Sequence, residues 1–226
     1  MPSHSYDVLA RLSPEVPASM LQRAANWTLD SVPSVPASAA SVILLRDHPR
    51  GVQTYLLHRH ARMPFAASMV VFPGGRLDPA DAEGGFDPLR RCAVRETVEE
   101  TGVHLAKADL FPWARWITPE IEPRRYDTWF FVAAMPADQE AIDISGETDL
   151  AEWSTAQQAL TAERSGLIKM LPPTMSILIE LADLVTVAEV IDQATDRQVE
   201  PVLPLLVEAE RGWHFRYPQP HSRETS

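Results

Sequence analysis

Cysteine is nearly absent: Cys92 stands alone among 226 residues. One thiol can neither close an intramolecular disulfide nor supply a zinc cluster, which fits a reducing compartment, so a cytoplasmic location is the expectation. Positive charge is also scarce. Lysine and arginine total 20 against 31 acidic residues, a formal charge of −11, and there is no basic tract that would release counterions from nucleic acid. Long apolar runs are missing too. The N-terminal MPSHSYDVLARLSPEV has no basic start followed by an apolar core, and the stretch Ile177–Ile191 is broken by Glu180, Asp183 and Glu189. Neither secretion nor membrane spanning is expected, and no internal repeat is visible.

What remains is the composition of a folded domain. With 45% hydrophobic and 23% charged residues the chain can bury a core. Its length exceeds the ~100–150 residues of a common domain, which argues for one domain with elaborated ends. A small anionic substrate is compatible with the acidic whole, because a local cation site overrules the global field within a Debye length of roughly 8 Å.

SVPSVPASAA (31–40) reads as a linker, which makes residues 1–40 an arm and linker, 41–165 the core, and 166–226 an extension packed on the core. SVILLR (41–46) and GVQTYLLH (51–58) look like a hairpin, and MVVFPGG (69–75) like a short strand whose terminal glycines let backbone approach a ligand. Asp87-Pro88 and Gly102 bracket a helix over 88–101, with an N-cap residue, a proline at the first helical position and a glycine stop. WARWIT (113–118) and RRYDTWFFVAAM (124–135) read as strands, STAQQALTAERSG (154–166) as a helix, and Pro172-Pro173 opens a helical region to about Ala194. VLPLLVEA and WHFRYP have strand character.

On the 88–101 helix, Leu89, Cys92, Ala93, Glu96, Glu99 and Glu100 follow one stripe of helical period, while Val94, Val98 and Thr101 form a second, apolar one. A pair of glutamates on a helix is ordinarily a solvated face. Cover on both stripes would instead hold three carboxylates partly out of water, where they repel one another unless a counter-charge is present. A hard divalent cation answers that need: magnesium takes oxygen ligands and shares them with substrate phosphates.

The string RETVEETGV (95–103), with FPGG upstream, resembles the Nudix box, a glycine, then a carboxylate, then Arg-Glu-x-x-Glu-Glu-x-Gly. Arg95, Glu96, Glu99, Glu100 and Gly102 all match, and five such positions would arise by chance in a chain like this with odds on the order of 10⁻⁴. In the usual box five residues separate the glycine from the first carboxylate and seven separate that carboxylate from the arginine. Asp87 keeps the second spacing, but eleven residues lie between Gly75 and Asp87, and Thr97 replaces an apolar residue. The resemblance implies an α/β fold, a mixed β-sheet sandwiched between helices, here with a helical C-terminal extension. It implies Mg²⁺, with Mn²⁺ as a substitute, held by Glu99 and Glu100. Glu96 would be a further ligand or the base, and Arg95 would orient the carboxylates. The carbonyl of Gly75 is the implied backbone ligand and Gly74 its alternative. Glu147, in GETDLAEW, is the candidate for a later glutamate that completes the site in some members, with Glu152 close by. Cys92 reads as core.

LLHRHARMPFAASMVVFPGGRLDPAD (56–81), RRYDTWFFVAAMP (124–136) and LPPTMSILIELA (171–182) further resemble the coenzyme A diphosphatase branch of that superfamily, closer to the animal peroxisomal type and its bacterial relatives than to the main bacterial signature. A Thr near His58 and a Gly near Ser68, wanted by the latter, are absent. Arg59, Arg62 and Arg124 are candidate phosphate contacts, and Arg125, His58 and His60 carry the same ambiguity between substrate and structure. The helices beyond Pro172 would cover the pocket and select the pantetheine arm. Within the superfamily the rivals are hydrolysis of ADP-ribose, NADH or nucleoside triphosphates; from another class come a nucleotide sensor without catalysis and an acidic interaction module. The resemblance also allows for a homodimer.

Overall fold

The computed structural model describes residues 6–13, 15–28, 30–62, 66–83, 87–210 and 212–217. The first five residues of the arm, the middle of the 56–81 segment, the Gly84-Gly85-Phe86 part of the long loop and the last residue of WHFRYP lie outside them. In chain order the elements are α1 (Tyr6–Leu9), α2 (Ala18–Ala25), β1 (Ala37–Arg46), β2 (Gln53–Arg59), β3 (Val70–Val71), β4 (Gly74–Arg76), α3 (Pro79–Glu83) and α4 (Pro88–Thr101). Then follow β5 (Phe111–Ile117), β6 (Tyr126–Ala134), β7 (Thr148–Thr155), α5 (Ala156–Arg164), α6 (Pro172–Leu181), α7 (Val187–Thr195), β8 (Pro201–Val202), β9 (Leu205–Ala209) and β10 (Gly212–Arg216). No helix among the described residues is long and apolar enough to cross a membrane.

Eight strands form one mixed sheet along the path β3-β2-β1-β6-β5-β8, with β4 on β1 and β7 on β2. β1 lies at its centre, parallel to β6 from Ala37↔Tyr126 to Leu45↔Ala134. A central strand covered on both sides must be apolar on both, and this is why SVILLR shows no polar alternation. Val42 and Leu44 join Tyr55, Leu57, Cys92 and Ala93 under α4. Ile43 and Leu45 face the other way, toward Ile177 and Leu178 of α6, Val190 of α7 and Val8, Leu9 and Leu12 of the arm. The result is helix, sheet, helix, as the resemblance implied.

β1 and β2 pair only near their turn, through Leu45↔Thr54 and Arg46↔Gln53. Farther along they splay, and residues 70–76 fill the gap, first on β2 through Leu57↔Val71 and then on β1 through Ala40↔Gly75. The glycine pair is thereby inserted into the sheet beneath α4.

Four details differ from the sequence reading. β1 starts at Ala37, not Ser41, so the supposed linker supplies the first turn of the central strand, and the arm is part of the core. The helical region after Pro172 is two helices, because Thr186 and Glu189 form a capping box that starts a new helix. β7, before α5, was not expected: among the described residues it pairs with β2 alone, and the exposed Asp149 and Glu152 that mask its strand character in sequence are what an edge strand tolerates. The helix read from 154 therefore begins at Ala156, after its cap Thr155.

The extension is tied to the core through Arg197, which an ion pair within the extension holds against Trp113 of β5. Arg197 donates to both oxygens of Glu180 at 2.8 Å and to the Trp113 carbonyl at 2.7 Å, and its guanidinium lies 4.1 Å from the Trp113 ring centre. Both partner side chains are 9% exposed. Glu180→Ala leaves a buried cation unmatched, so a loss of about 3 kcal/mol in urea unfolding is expected. The two chain ends also meet: Trp116 packs edge-on against Tyr217, whose hydroxyl donates to the Ser13 carbonyl.

Candidate active site

The geometry of the site follows from how α4 is set. Asp87 accepts the Arg90 amide at 3.1 Å, Pro88 occupies the first turn, and Gly102 ends the helix with φ 71°. Cys92, Ala93, Thr97, Glu100 and Thr101 are buried against the sheet. Thr97 fits there because its hydroxyl donates back to the Ala93 carbonyl at 2.7 Å, so the departure from an apolar residue leaves no polar group unsatisfied.

The three glutamates line up over the glycine strand. Glu100 is 6% exposed and accepts the Gly74 amide at 2.7 Å. Burial pushes its carboxyl up to about 8; the Gly74 hydrogen bond and the charge of Arg59 oppose that, and Glu96 and Glu147 add to it. Burial likewise raises Glu96 above the usual carboxylate range, against the pull of Arg95. A Cβ on Gly75 would fall 2.4 Å from the Glu96 carboxyl carbon, so only glycine admits this carboxylate so close to the sheet. Glu99 is the exposed member of the set.

Arg95 ties the group together. Its Nη1 donates to Glu96 at 2.8 Å and Glu99 at 2.9 Å, and its Nη2 to the Arg76 carbonyl at 3.1 Å. Nε and Nη2 together grip Asp81, at 3.2 and 2.8 Å. Asp81 is 5% exposed. Burial alone would raise its carboxyl, but the hydrogen bonds from Arg95 and the Asp78 amide hold it below the usual range.

Asp81 is the residue that the sequence reading missed. Spacing along the chain points to Asp87, which is separated from Arg95 by seven residues. Asp81, however, follows Gly75 after five residues, and it is Asp81 that reaches Arg95, while Asp87 caps α4 and pairs with Arg90. The extra loop length is therefore inserted after the first carboxylate and not before it. The signal was present in Asp78-Pro79, the same helix-starting dipeptide as Asp87-Pro88, which begins α3 and delivers Asp81. Asp81→Asn keeps the shape and removes the charge, so turnover is expected to fall about 10- to 100-fold, the range for a lost supporting partner, with the loss in kcat rather than KM.

Backbone geometry bears on the implied carbonyl ligand. Val42 N–H donates to the Pro73 carbonyl and Leu77 N–H to the Ser38 carbonyl, so the pair between them, Ala40↔Gly75, is a hydrogen-bonded one and the Gly75 carbonyl turns toward β1. The Cys92 thiol donates to that same oxygen at 3.6 Å. Gly74 faces the other way, where its N–H meets Glu100. This assigns the outward carbonyl to Gly74, the alternative, and not to Gly75.

Of the remaining candidates, Arg59 and Glu147 are brought to the glutamates. Arg59 Nη2 lies 3.8 Å from Glu147, with the Arg59 side chain 14% exposed, and its Nε is buried without a hydrogen-bond partner. Arg62 is exposed beyond the end of β2, and its amide donates to His60. Arg124 is exposed in the loop before β6, outside the glutamate cluster. His58 and His60 face Glu152 and Asp149 of β7, and Arg125 is buried, donating to the Ser34 and Thr118 carbonyls.

The donor set is all oxygen, as magnesium prefers, and among the described residues the cation whose charge reaches the buried Glu100 is Arg59 at the rim. Among the described residues no three acidic, histidine or cysteine side chains converge on one point as they stand, and the Arg95 guanidinium lies between Glu96 and Glu99.

A model of the NUDIX domain matches residues 35–173. A Caenorhabditis elegans protein named "Putative nudix hydrolase 7" is 30% identical over 183 residues, which cover 65% of this chain and 61% of the worm protein. The "Acyl-coenzyme A diphosphatase NUDT19" of Xenopus laevis is 28% identical over 107 residues, covering 44% of this chain and 28% of the frog protein. The chain thus matches less than two thirds of the length of either relative. Among solved structures, a NUDIX hydrolase from Alicyclobacillus acidocaldarius superposes with a TM-score of 0.64 at 25% identity, over 74% of this chain and 99% of that one. The NUDIX domain of Shewanella oneidensis NrtR, solved with ADP ribose, shares the fold at 15% identity and a TM-score of 0.50, over 73% of this chain and 96% of that domain. With more than half its length matched by the family model and the matching glutamate helix set over paired glycines, this chain belongs to the NUDIX domain family.

Proposed function

We propose that this protein is a Mg²⁺-dependent hydrolase of a diphosphate linkage in a nucleotide derivative, with coenzyme A or acyl-coenzyme A as substrate, releasing 3′,5′-ADP and 4′-phosphopantetheine or its acyl form. The observation that carries the chemistry is the set of three glutamates over Gly74 and Gly75, Glu96 and Glu99 held by Arg95 and Glu100 by the Gly74 amide. Glu96, Glu99, Glu100 and the Gly74 carbonyl would hold the metal. When bound, magnesium supplies neutralisation of the phosphate oxygens that gather charge as the bond breaks.

The chain's own groups do the rest. Where Glu96 is not itself a ligand, its carboxylate is placed to accept a proton from the attacking water. Arg95 fixes its direction, and Asp81 fixes Arg95. Glu147, joined to Arg59 at the rim, is the second candidate for that base, and Arg59 is placed to receive a substrate phosphate. The coenzyme A assignment is supported by the three segments with coenzyme A diphosphatase character and by the similarity to the frog protein of that name.

The test is product analysis with Mg²⁺ and coenzyme A, acyl-coenzyme A, ADP-ribose, NADH and ATP, beside Glu99→Gln. Release of 3′,5′-ADP from coenzyme A, lost in the variant, supports the proposal. Cleavage of another compound alone keeps the chemistry and removes the substrate. If nothing is cut, a nucleotide sensor becomes the better reading.

A further inference from the structure

In a chain of net charge −11, one hollow is lined by arginines. It has a volume of about 220 Å³; three of its eight lining residues are Arg76, Arg124 and Arg125, and none is acidic. Arg125 is buried and builds the wall, its guanidinium holding the Ser34 carbonyl at 2.7 Å and the Thr118 carbonyl at 3.0 Å. Arg76 and Arg124 are exposed at the rim.

Its place in the sheet links it to the glutamates. The β1–β6 ladder sets Ala37 against Tyr126, and the β1–β4 ladder sets Ala39 against Arg76. Arg76 follows Gly75, on which Glu96 closes, and the Arg76 carbonyl accepts from Arg95. The hollow and the metal-binding candidates therefore lie at the same end of the sheet, on either side of β4.

We propose that this hollow is a subsite for a phosphate monoester carried by the substrate at a position away from the diphosphate that is cut. At about 220 Å³ it is smaller than the ~300–1,000 Å³ of pockets that hold a whole drug-sized ligand, so it fits one compact polyanion and not a nucleoside. A monoester is close to doubly charged at neutral pH and accepts paired N–H donors from guanidinium groups. The substrate class is then a nucleoside bearing both a 5′-diphosphate and a separate phosphate, which coenzyme A is and ADP-ribose and NADH are not. This inference rests on the hydrolase reading of the neighbouring site.

Isothermal titration of the full chain with 3′,5′-ADP and with 5′-AMP, in Mg²⁺, tests it apart from turnover. The wild type is expected to bind the bisphosphate about tenfold more tightly. In Arg76→Gln and in Arg124→Gln, each checked for folding by thermal melting, the ratio should fall below about threefold. A wild-type ratio near one overturns the subsite, and so does a ratio that both variants retain, including equal weakening of both nucleotides. If the ratio behaves as expected but coenzyme A is not hydrolysed, the subsite stands and the coenzyme A assignment falls.

Discussion

Glu100→Gln is expected to make the metal-free protein more stable at pH 8 and, in the same molecule, to abolish hydrolysis. Burial pushes the Glu100 carboxyl up to about 8, against about 4.3 in an unfolded chain. Between those values the folded state holds a proton that the unfolded state has released, so stability falls as pH rises across that window. The full contribution is present below about pH 4.3 and has gone once pH passes about 8. Glutamine accepts the Gly74 hydrogen bond without ever ionising, so the variant lacks this loss. A gain on the order of 1–3 kcal/mol at pH 8, or about 5 °C in melting temperature, is expected, with no gain at pH 4. Mg²⁺ should raise the melting temperature of the wild type at pH 8 and leave that of the variant nearly unmoved. Turnover should fall by about 10³ or more, as for other groups that hold charge at a reacting phosphate. Thermal melting at both pH values with and without Mg²⁺ checks the signs; a variant less stable than wild type at pH 8 would mean that Glu100 is already satisfied as a carboxylate.

Gly75→Ala has the second largest expected effect, and it is best compared with Gly74→Ala. At Gly75 the new Cβ meets the Glu96 carboxylate at 2.4–2.5 Å, whereas at Gly74 it meets the Ser41 hydroxyl oxygen at 2.3 Å and the Ala40 backbone oxygen at 2.4 Å. A side chain can turn away and a central strand cannot. Gly75→Ala should therefore fold, lose about 2 kcal/mol or less, and drop in kcat by at least ~100-fold because Glu96 is displaced, as a misplaced group of ~1 Å does. Gly74→Ala should lose several kcal/mol by overpacking and show little soluble protein. Urea unfolding beside steady-state kinetics separates the two, and a normal kcat for Gly75→Ala would remove Glu96 from the working site.

The helix that carries the chemistry could be read from sequence because each of its signals is local: a cap, a proline, a stop and a stripe of glutamates. Its bounds, Pro88–Thr101, are those expected. β7 was hidden because its neighbour across the ladder, not its own polar residues, makes it a strand. The arm was misjudged for a similar reason, since Val8, Leu9 and Leu12 acquire a core only when α6 is beside them. Asp81 was missed because spacing to Arg95 along the chain was taken as a guide, while a folded loop brings the partner in from elsewhere. Glycine at 74 and 75 signalled close approach, but which carbonyl faces outward depends on ladder parity, and that requires the register with β1.

The meeting of the chain ends has a kinetic consequence. Tyr217 reaches Ser13 across 204 residues, and Phe215 and Tyr217 share one cluster with Val8, Leu9 and Leu12. A contact of that span closes late, since its loop entropy must be overcome before it is rewarded. During synthesis the sheet and α4 can emerge and pair while the surface later covered by β10 is still bare, so the nascent chain passes through a stage with an exposed apolar flank. The clasp between Ser13 and Tyr217 is thus expected among the later contacts to close.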